Sequence, residues 1–195
     1  RMGIQSGSDN ILEFYRRPTK LHKIKEATEV FNKYKKYIIP PAYDIILENP
    51  LENREDTLAT LDLVYNMPRP YTLNIYALRV IPNTRMAKDL EEKGVKIPPI
   101  NKNFYTEYYR TMGNCLIFAF TFWKIPKWLY KILRKRVYPV HTEQKHYPIL
   151  FLFCRLGYLI KRAFDHLRFM DFSLLPGTPG YYLWKLGVIS FWKRF

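Results

Sequence analysis

Cysteine is scarce: Cys115 and Cys154 are the only two in 195 residues. So few exclude a disulfide framework. Alone they cannot assemble a zinc or iron–sulfur site, which usually takes about three or four ligands. His22, His141, His146 and His166 show no metal-ligand spacing with acidic or cysteine neighbours and read as structural or surface groups. No Gly-rich phosphate loop, Ser-His-Asp order or paired-carboxylate signature stands out. Long apolar runs are missing as well. Residues 113–123 and 147–160, the second interrupted by Arg155, fall short of the roughly 18–20 needed to cross a bilayer. Acid is scarce in one half only. Residues 1–100 carry 16 basic and 13 acidic side chains; residues 101–195 carry 16 and 4.

The chain is otherwise that of a folded protein, with 48% hydrophobic residues and a net charge of +15. Aromatics reach 17%, and 24 of the 33 lie after residue 100. An ordinary folded segment, 1–97, is thus followed by a basic, aromatic-rich one, 98–195, with the seam at Ile97-Pro98-Pro99-Ile100. The opening Arg1-Met2-Gly3-Ile4-Gln5 reads as a strand running into a turn. A chain that starts this way is expected to be a fragment or trimmed piece of a longer protein.

The first segment alternates strand and helix signals. Thr19 is placed to cap a helix carrying Leu21, Ile24, Ala27, Phe31 and Tyr34 at helical spacing, which should stop before Pro40-Pro41. Tyr43 to Leu47 fits a buried strand. Asn53, with Asp56 three residues on, forms a capping-box pattern ahead of Leu58, Leu61, Leu63, Val64 and Met67. Tyr71 to Val80 reads as a strand with Leu73, Ile75, Ala77 and Arg79 on one side. Asn83-Thr84 opens a further helix, ended by Gly94. This order implies βα units and a parallel α/β sheet, in which ligands sit at the carboxyl ends of the strands. Three places follow: the turn Gln5 to Ser8, the segment Glu48-Asn49-Pro50, and the segment after Ala77-Leu78.

At these places the chain resembles the C-terminal part of the radical SAM core of cobalamin (B12)-binding radical SAM proteins. Gly3-Ile4-Gln5-Ser6-Gly7-Ser8, followed by Leu12 and Arg16-Arg17-Pro18, is similar to the family's fourth-strand pattern G-[IVL]-[QE]-S-G-S with a later leucine and arginine. Tyr43-Asp44-Ile45-Ile46-Leu47-Glu48-Asn49-Pro50-Leu51-Glu52 resembles the fifth strand in its D-x-I-L-D-N-P-x-E form. Glu48 stands where the commoner form has glycine. Pro68-Arg69-Pro70-Tyr71 and Ala77 to Thr84 resemble the sixth strand and its P-G-T turn, with Asn83 in place of glycine. The match covers about residues 1–97.

The resemblance implies a partial (β/α) barrel half of three βα units, followed by a mainly helical extension. The remaining half, N-terminal to Arg1, would be the chain's partner and would carry the Cys-x3-Cys-x2-Cys loop for a [4Fe–4S] cluster. It implies reductive cleavage of S-adenosylmethionine, hydrogen abstraction by a 5′-deoxyadenosyl radical and, through cobalamin, methyl transfer to a small-molecule or lipid-like substrate. Gln5 would meet ribose or the methionyl carboxylate, with Ser6 in the same turn. Arg17, or its competitor Arg16, would hold that carboxylate. Asp44 would bond a ribose hydroxyl or a barrel neighbour. Glu48 would reach substrate, ribose or amine, or pair with a basic residue of the missing half. Ala77 and Leu78 would offer backbone groups to adenine. Each of these residue types also serves as an ordinary turn, core or surface group.

In the second segment, Lys124 to Arg136 has the composition of an interfacial amphipathic helix, with Trp128, Leu129 and Ile132 on one face and cations on the other. Trp184-Lys185 and Phe191 to Phe195 form a second basic aromatic stretch. Packing against the barrel is the favoured expectation for this segment and contact with an anionic membrane surface the alternative; the two are compatible. Nucleic acid is not an expected partner, because no binding motif accompanies the charge. The expected location is cytoplasmic, peripheral at the membrane. The competing reading is a non-catalytic membrane-surface or interaction protein that retains half a barrel.

Overall fold

The structure of the protein, a computed structural model, describes residues 1–18, 20–95, 108–142 and 145–169. Thr19, the seam around Pro98-Pro99, and the aromatic stretches at Trp184 and Phe191 to Phe195 lie outside the described residues. Two compact units are present, Arg1–Tyr158 and Leu159–Phe195.

The first unit is α/β. Strands β1 (Met2–Gln5), β2 (Ala42–Leu47) and β3 (Thr72–Ala77) form a parallel sheet in the order β1-β2-β3. Helices α1 (Asp9–Phe14) and α2 (Leu21–Lys33) connect β1 to β2, and α3 (Arg54–Asn66) connects β2 to β3. Helices α4 (Arg85–Glu92), α5 (Met112–Phe122), α6 (Lys127–Arg134) and α7 (Pro148–Phe169) follow. Helix α7 runs into the second unit, where Lys161 pairs with Asp165 one turn along.

Local chemistry sets these boundaries. At α3 the Asp56 N–H donates to Asn53 Oδ1 at 2.8 Å and the Asn53 N–H to Asp56 Oδ2 at 3.1 Å, a complete capping box. Thr84 caps α4 by accepting from the Ala87 N–H, and Gly94, at φ +74°, follows its end. Pattern alone does not single out α1. It is capped by Ser8, whose hydroxyl also donates to Asp56 Oδ1 at 2.5 Å and so ties the starts of α1 and α3 together. Gly7 is required here. A Cβ at Gly7 would lie 2.5 Å from the Ala59 carbonyl oxygen and 2.6 Å from Thr60 Cα.

One face of the sheet is apolar. Ile4, Tyr43, Ile45, Leu73 and Ile75 are buried in a core shared with Leu61 and Val64 of α3. Helix α5 belongs to the same core. Met112 through Thr121 are all buried, and α5 packs against α3 and β3. A helix apolar on all sides needs neighbours on all sides. Helix α6 is pinned to α3 by Asp62, which accepts from Tyr130 Oη at 2.6 Å and from Arg134 through two bonds of 3.0 and 2.7 Å. Tyr65 and Tyr130 stack with centroids 4.0 Å apart. In α7, Phe151, Cys154 and Tyr158 recur at helical spacing and face the core. Among the described residues no helix is long and apolar enough to cross a membrane.

Candidate functional site at the strand tips

Parallel strands bring their carboxyl ends to one edge, so Gln5, Leu47-Glu48 and Ala77-Leu78 lie at the same end of the sheet. Two of these tips turn through the left-handed region, at φ +71° for Gln5 and +66° for Glu48. The P-N-T turn after β3 does the same, at φ +64° for Asn83. Glycine adopts that conformation at little steric cost. Glu48 and Asn83 hold that conformation without being glycine.

Gln5 and Arg17, twelve positions apart in sequence, converge over Gly3. A Cβ at Gly3 would stand 2.6 Å from Gln5 Nε2 and 2.9 Å from Arg17 Nη2. The missing side chain leaves the space both polar groups use. Arg16 goes elsewhere: it adopts φ +54° and approaches Asp89 of α4 at 3.7 Å. A pocket of about 270 Å³ opens beside Arg17, lined also by Asp9, Glu13, Arg16 and Lys20.

Asp44 lies in mid-strand, in register between Gly3 of β1 and Asn74 of β3. It accepts from Arg1 Nε at 2.9 Å to each oxygen and from Asn74 Nδ2 at 2.8 Å. Arg1 Nη2 reaches Tyr76 Oη at 2.8 Å. The second face of the sheet thus carries Arg1, Asp44, Asn74 and Tyr76 beside the half-buried Ile46. Asn74 Oδ1 is buried there with no hydrogen-bond partner among the described residues. Arg1, Asn74 and Tyr76 are not among the residues the sequence patterns mark, although strict alternation along β3 puts 74 and 76 opposite Leu73 and Ile75.

The other expected residues are engaged within the protein. Ser6 is fully buried: its hydroxyl bonds Thr60 Oγ1 at 3.0 Å and accepts from the Ser8 N–H. The Leu78 N–H donates to the Leu47 carbonyl at 2.7 Å, and the Leu78 carbonyl accepts from Arg79 Nη1. Ala77 pairs with Leu47 in the ladder. Glu48 is buried and holds together three parts of the chain. Its oxygens accept from Arg79 Nη1 at 3.0 Å, the Tyr109 N–H at 2.6 Å and Asn114 Nδ2 at 2.8 Å. Its basic partner is thus Arg79 of this chain. Burial raises its pKa, and the bonds from Tyr109, Arg79 and Asn114 oppose that rise.

Glu52, the last residue of the fifth-strand pattern but given no chemical role by it, is a buried carboxyl. It borders a cavity of about 20 Å³ with Glu48, Thr57, Thr111 and Asn114, room for about one water-sized group. Burial, with smaller pushes from Asp56 and Glu48, raises its pKa to about 8 against a weak bond from Thr57. Among the described residues no cluster of three His, Cys, Asp or Glu is placed to hold a metal ion. Cys115 and Cys154 meet between α5 and α7, where a hydrogen bond from Cys115 holds the Cys154 thiol below its usual range against burial.

Compared with known proteins, the chain matches no family model and no curated protein.

Proposed function

We propose that this chain is the C-terminal half of a radical SAM barrel and supplies one wall of the chamber for S-adenosylmethionine and substrate. The observation that carries the reading is the polar face of a parallel sheet, where Gln5 and Arg17 share the space above Gly3 and Asp44 lies next in register. Parallel sheets normally bury both faces. A face that keeps Tyr76 44% exposed, and carries a buried Asn74 oxygen with no partner among the described residues, suits a sheet that lines a chamber. The left-handed turns at Glu48 and Asn83 further support the alignment with the family's glycines.

The residues present fit S-adenosylmethionine. The Arg17 guanidinium would pair with its carboxylate and the Gln5 amide with a hydroxyl or that same carboxylate; Asp44 would accept from a ribose hydroxyl. When bound, the cofactor supplies the adenosyl radical chemistry of the family; the protein orients and shields it. The cluster does not fit this chain, whose two cysteines are buried between α5 and α7. Its ligands would come from the upstream half. Cobalamin follows only from the family branch that the strand motifs resemble, and no residue here is assigned to it.

A second reading is favoured by one set of contacts. Ser6, Glu48 and the Leu78 N–H are all occupied within the protein, as they would be in a non-catalytic scaffold that keeps half a barrel. The coding sequence upstream of Arg1 separates the two. A Cys-x3-Cys-x2-Cys loop supports the enzyme, whereas an in-frame stop followed by a start codon overturns it. In the protein with its upstream half, Arg17→Ala and Gln5→Ala should each weaken S-adenosylmethionine binding by about tenfold or more in titration calorimetry. Unchanged affinity in both overturns the assignment.

A further inference from the structure

In the first unit, the part of α7 up to Tyr158 is apolar on two sides, and only one is covered. Phe151, Cys154 and Tyr158 are buried, while Ile149, Leu152, Phe153 and Leu156 are 71%, 65%, 66% and 51% exposed. The patch extends beyond α7. The Phe122 ring, at the end of α5, lies against Gly157, where an added Cβ would meet its carbons at 2.6 Å. Phe122 and the adjoining Trp123 are 40% and 45% exposed. Helix α6 follows, with Tyr130 buried on Asp62 while Trp128 and Ile132, one turn apart, are 65% and 49% exposed.

The segment that carries α5, α6 and the first part of α7 is basic in sequence, with Arg134 already paired to Asp62 of α3. Residues 108–158 hold nine Lys and Arg against a single acid, Glu143. Lys127, Lys131 and Lys135 share exposed positions on and beside α6 with its outward Trp128 and Ile132. A second copy of the chain would bring like charges together, and nucleic acid would leave the aliphatic side chains in contact with water. An anionic bilayer meets both demands: headgroups for the lysines, the acyl boundary for Leu152, Phe153 and Leu156, and the interfacial zone for the tryptophans.

We propose that the exposed side of α7, with the α5–α6 corner, is a docking surface for an anionic lipid bilayer, which it enters without spanning. The inference stands apart from the radical SAM reading, because it uses no residue of the strand tips.

The test is co-sedimentation of the full chain with vesicles of mixed phosphatidylglycerol and phosphatidylcholine, against pure phosphatidylcholine, at low and high salt. Pelleting with the mixed vesicles, and much less with the neutral ones, is expected. Leu152→Glu with Phe153→Glu should lower the partition by more than about tenfold, since burial of each side chain is lost. Lys131→Glu with Lys135→Glu should lower it on anionic vesicles and steepen nothing on neutral ones. All four positions are exposed, and circular dichroism checks that each variant keeps its fold. Failure to pellet with anionic vesicles overturns the proposal, as does pelleting indifferent to the α7 pair. A lipid-free dimer abolished by that pair, or binding to single-stranded RNA that the pair leaves intact while vesicle binding is absent, also overturns it.

Discussion

Along β2, neighbouring residues lead to opposite environments. Tyr43, Ile45 and Leu47 point into a core closed by helices; Asp44, one residue away, joins Arg1 and Asn74 on the other face. The covered face supplies the burial that holds the sheet together. The polar face supplies little stability, because Arg1 and Tyr76 are about half exposed and water competes for their bonds. A sheet with such a division spends one face on folding and leaves the other for recognition. Substitutions on the two faces should therefore separate stability from binding.

The largest effect should come from the covered face. Ile45 is fully buried, and Ile45→Ala should cost about 4 kcal/mol in denaturant unfolding, from lost transfer energy plus the cavity left behind. A loss below about 1 kcal/mol would mean that this face is not the stabilising one.

Glu48 tests where the tip of β2 belongs. Glu48→Ala would leave Arg79, the Tyr109 N–H and Asn114 Nδ2 without their shared acceptor, and should cost about 3 kcal/mol. Glu48→Gln keeps the shape and one acceptor oxygen and should cost less. If both variants keep full stability, Glu48 serves a ligand and not the fold.

Glu52 gives a pH signature. Its folded pKa of about 8 lies above the ordinary 4.5, so between those values the folded state holds a proton that the unfolded state has released. Its contribution is fully present below about pH 4.5 and is lost as the pH rises through about 8. Across pH 6 to 7 the unfolding free energy should fall by about 1 kcal/mol, the linkage slope of one such group. Glu52→Gln should flatten that slope; an equal slope in the variant would place the titration elsewhere.

Much of the covered face is legible in the sequence, because its signals are local. The Asn53–Asp56 capping box, the Thr84 cap, Gly94 and the 2-residue period of Tyr43, Ile45 and Leu47 each depend on residues within one turn or strand. What escaped depends on distant partners. Alternation would group Glu48 with Asp44, but its left-handed φ turns it toward Tyr109 and Asn114, more than sixty positions on. In α6 the expected apolar face of Trp128, Leu129 and Ile132 is split. Tyr130 takes the inward position because Asp62, sixty-eight residues earlier, accepts its hydroxyl, and Trp128 and Ile132 are left outside. Gln5 and Arg17 could be paired from their motif, whereas their meeting place depends on the side chain that Gly3 lacks.

The smallest stability effect should be the most telling about function. Asp44→Asn keeps the size of the side chain and one carbonyl oxygen to accept from Asn74 Nδ2 or Arg1. What it removes is charge, and the Arg1 partner is already 51% exposed. Screening by water limits the loss to about 0.5 kcal/mol. If the polar face lines a cofactor chamber, the same change removes the charged acceptor for a ribose hydroxyl, and S-adenosylmethionine binding in the protein with its upstream half should fall by about tenfold. A variant that is stable but binds poorly would assign Asp44 to recognition. A variant that is much less stable would show that Asp44 holds the strands together, and the contrast between the two faces would collapse into a single structural role.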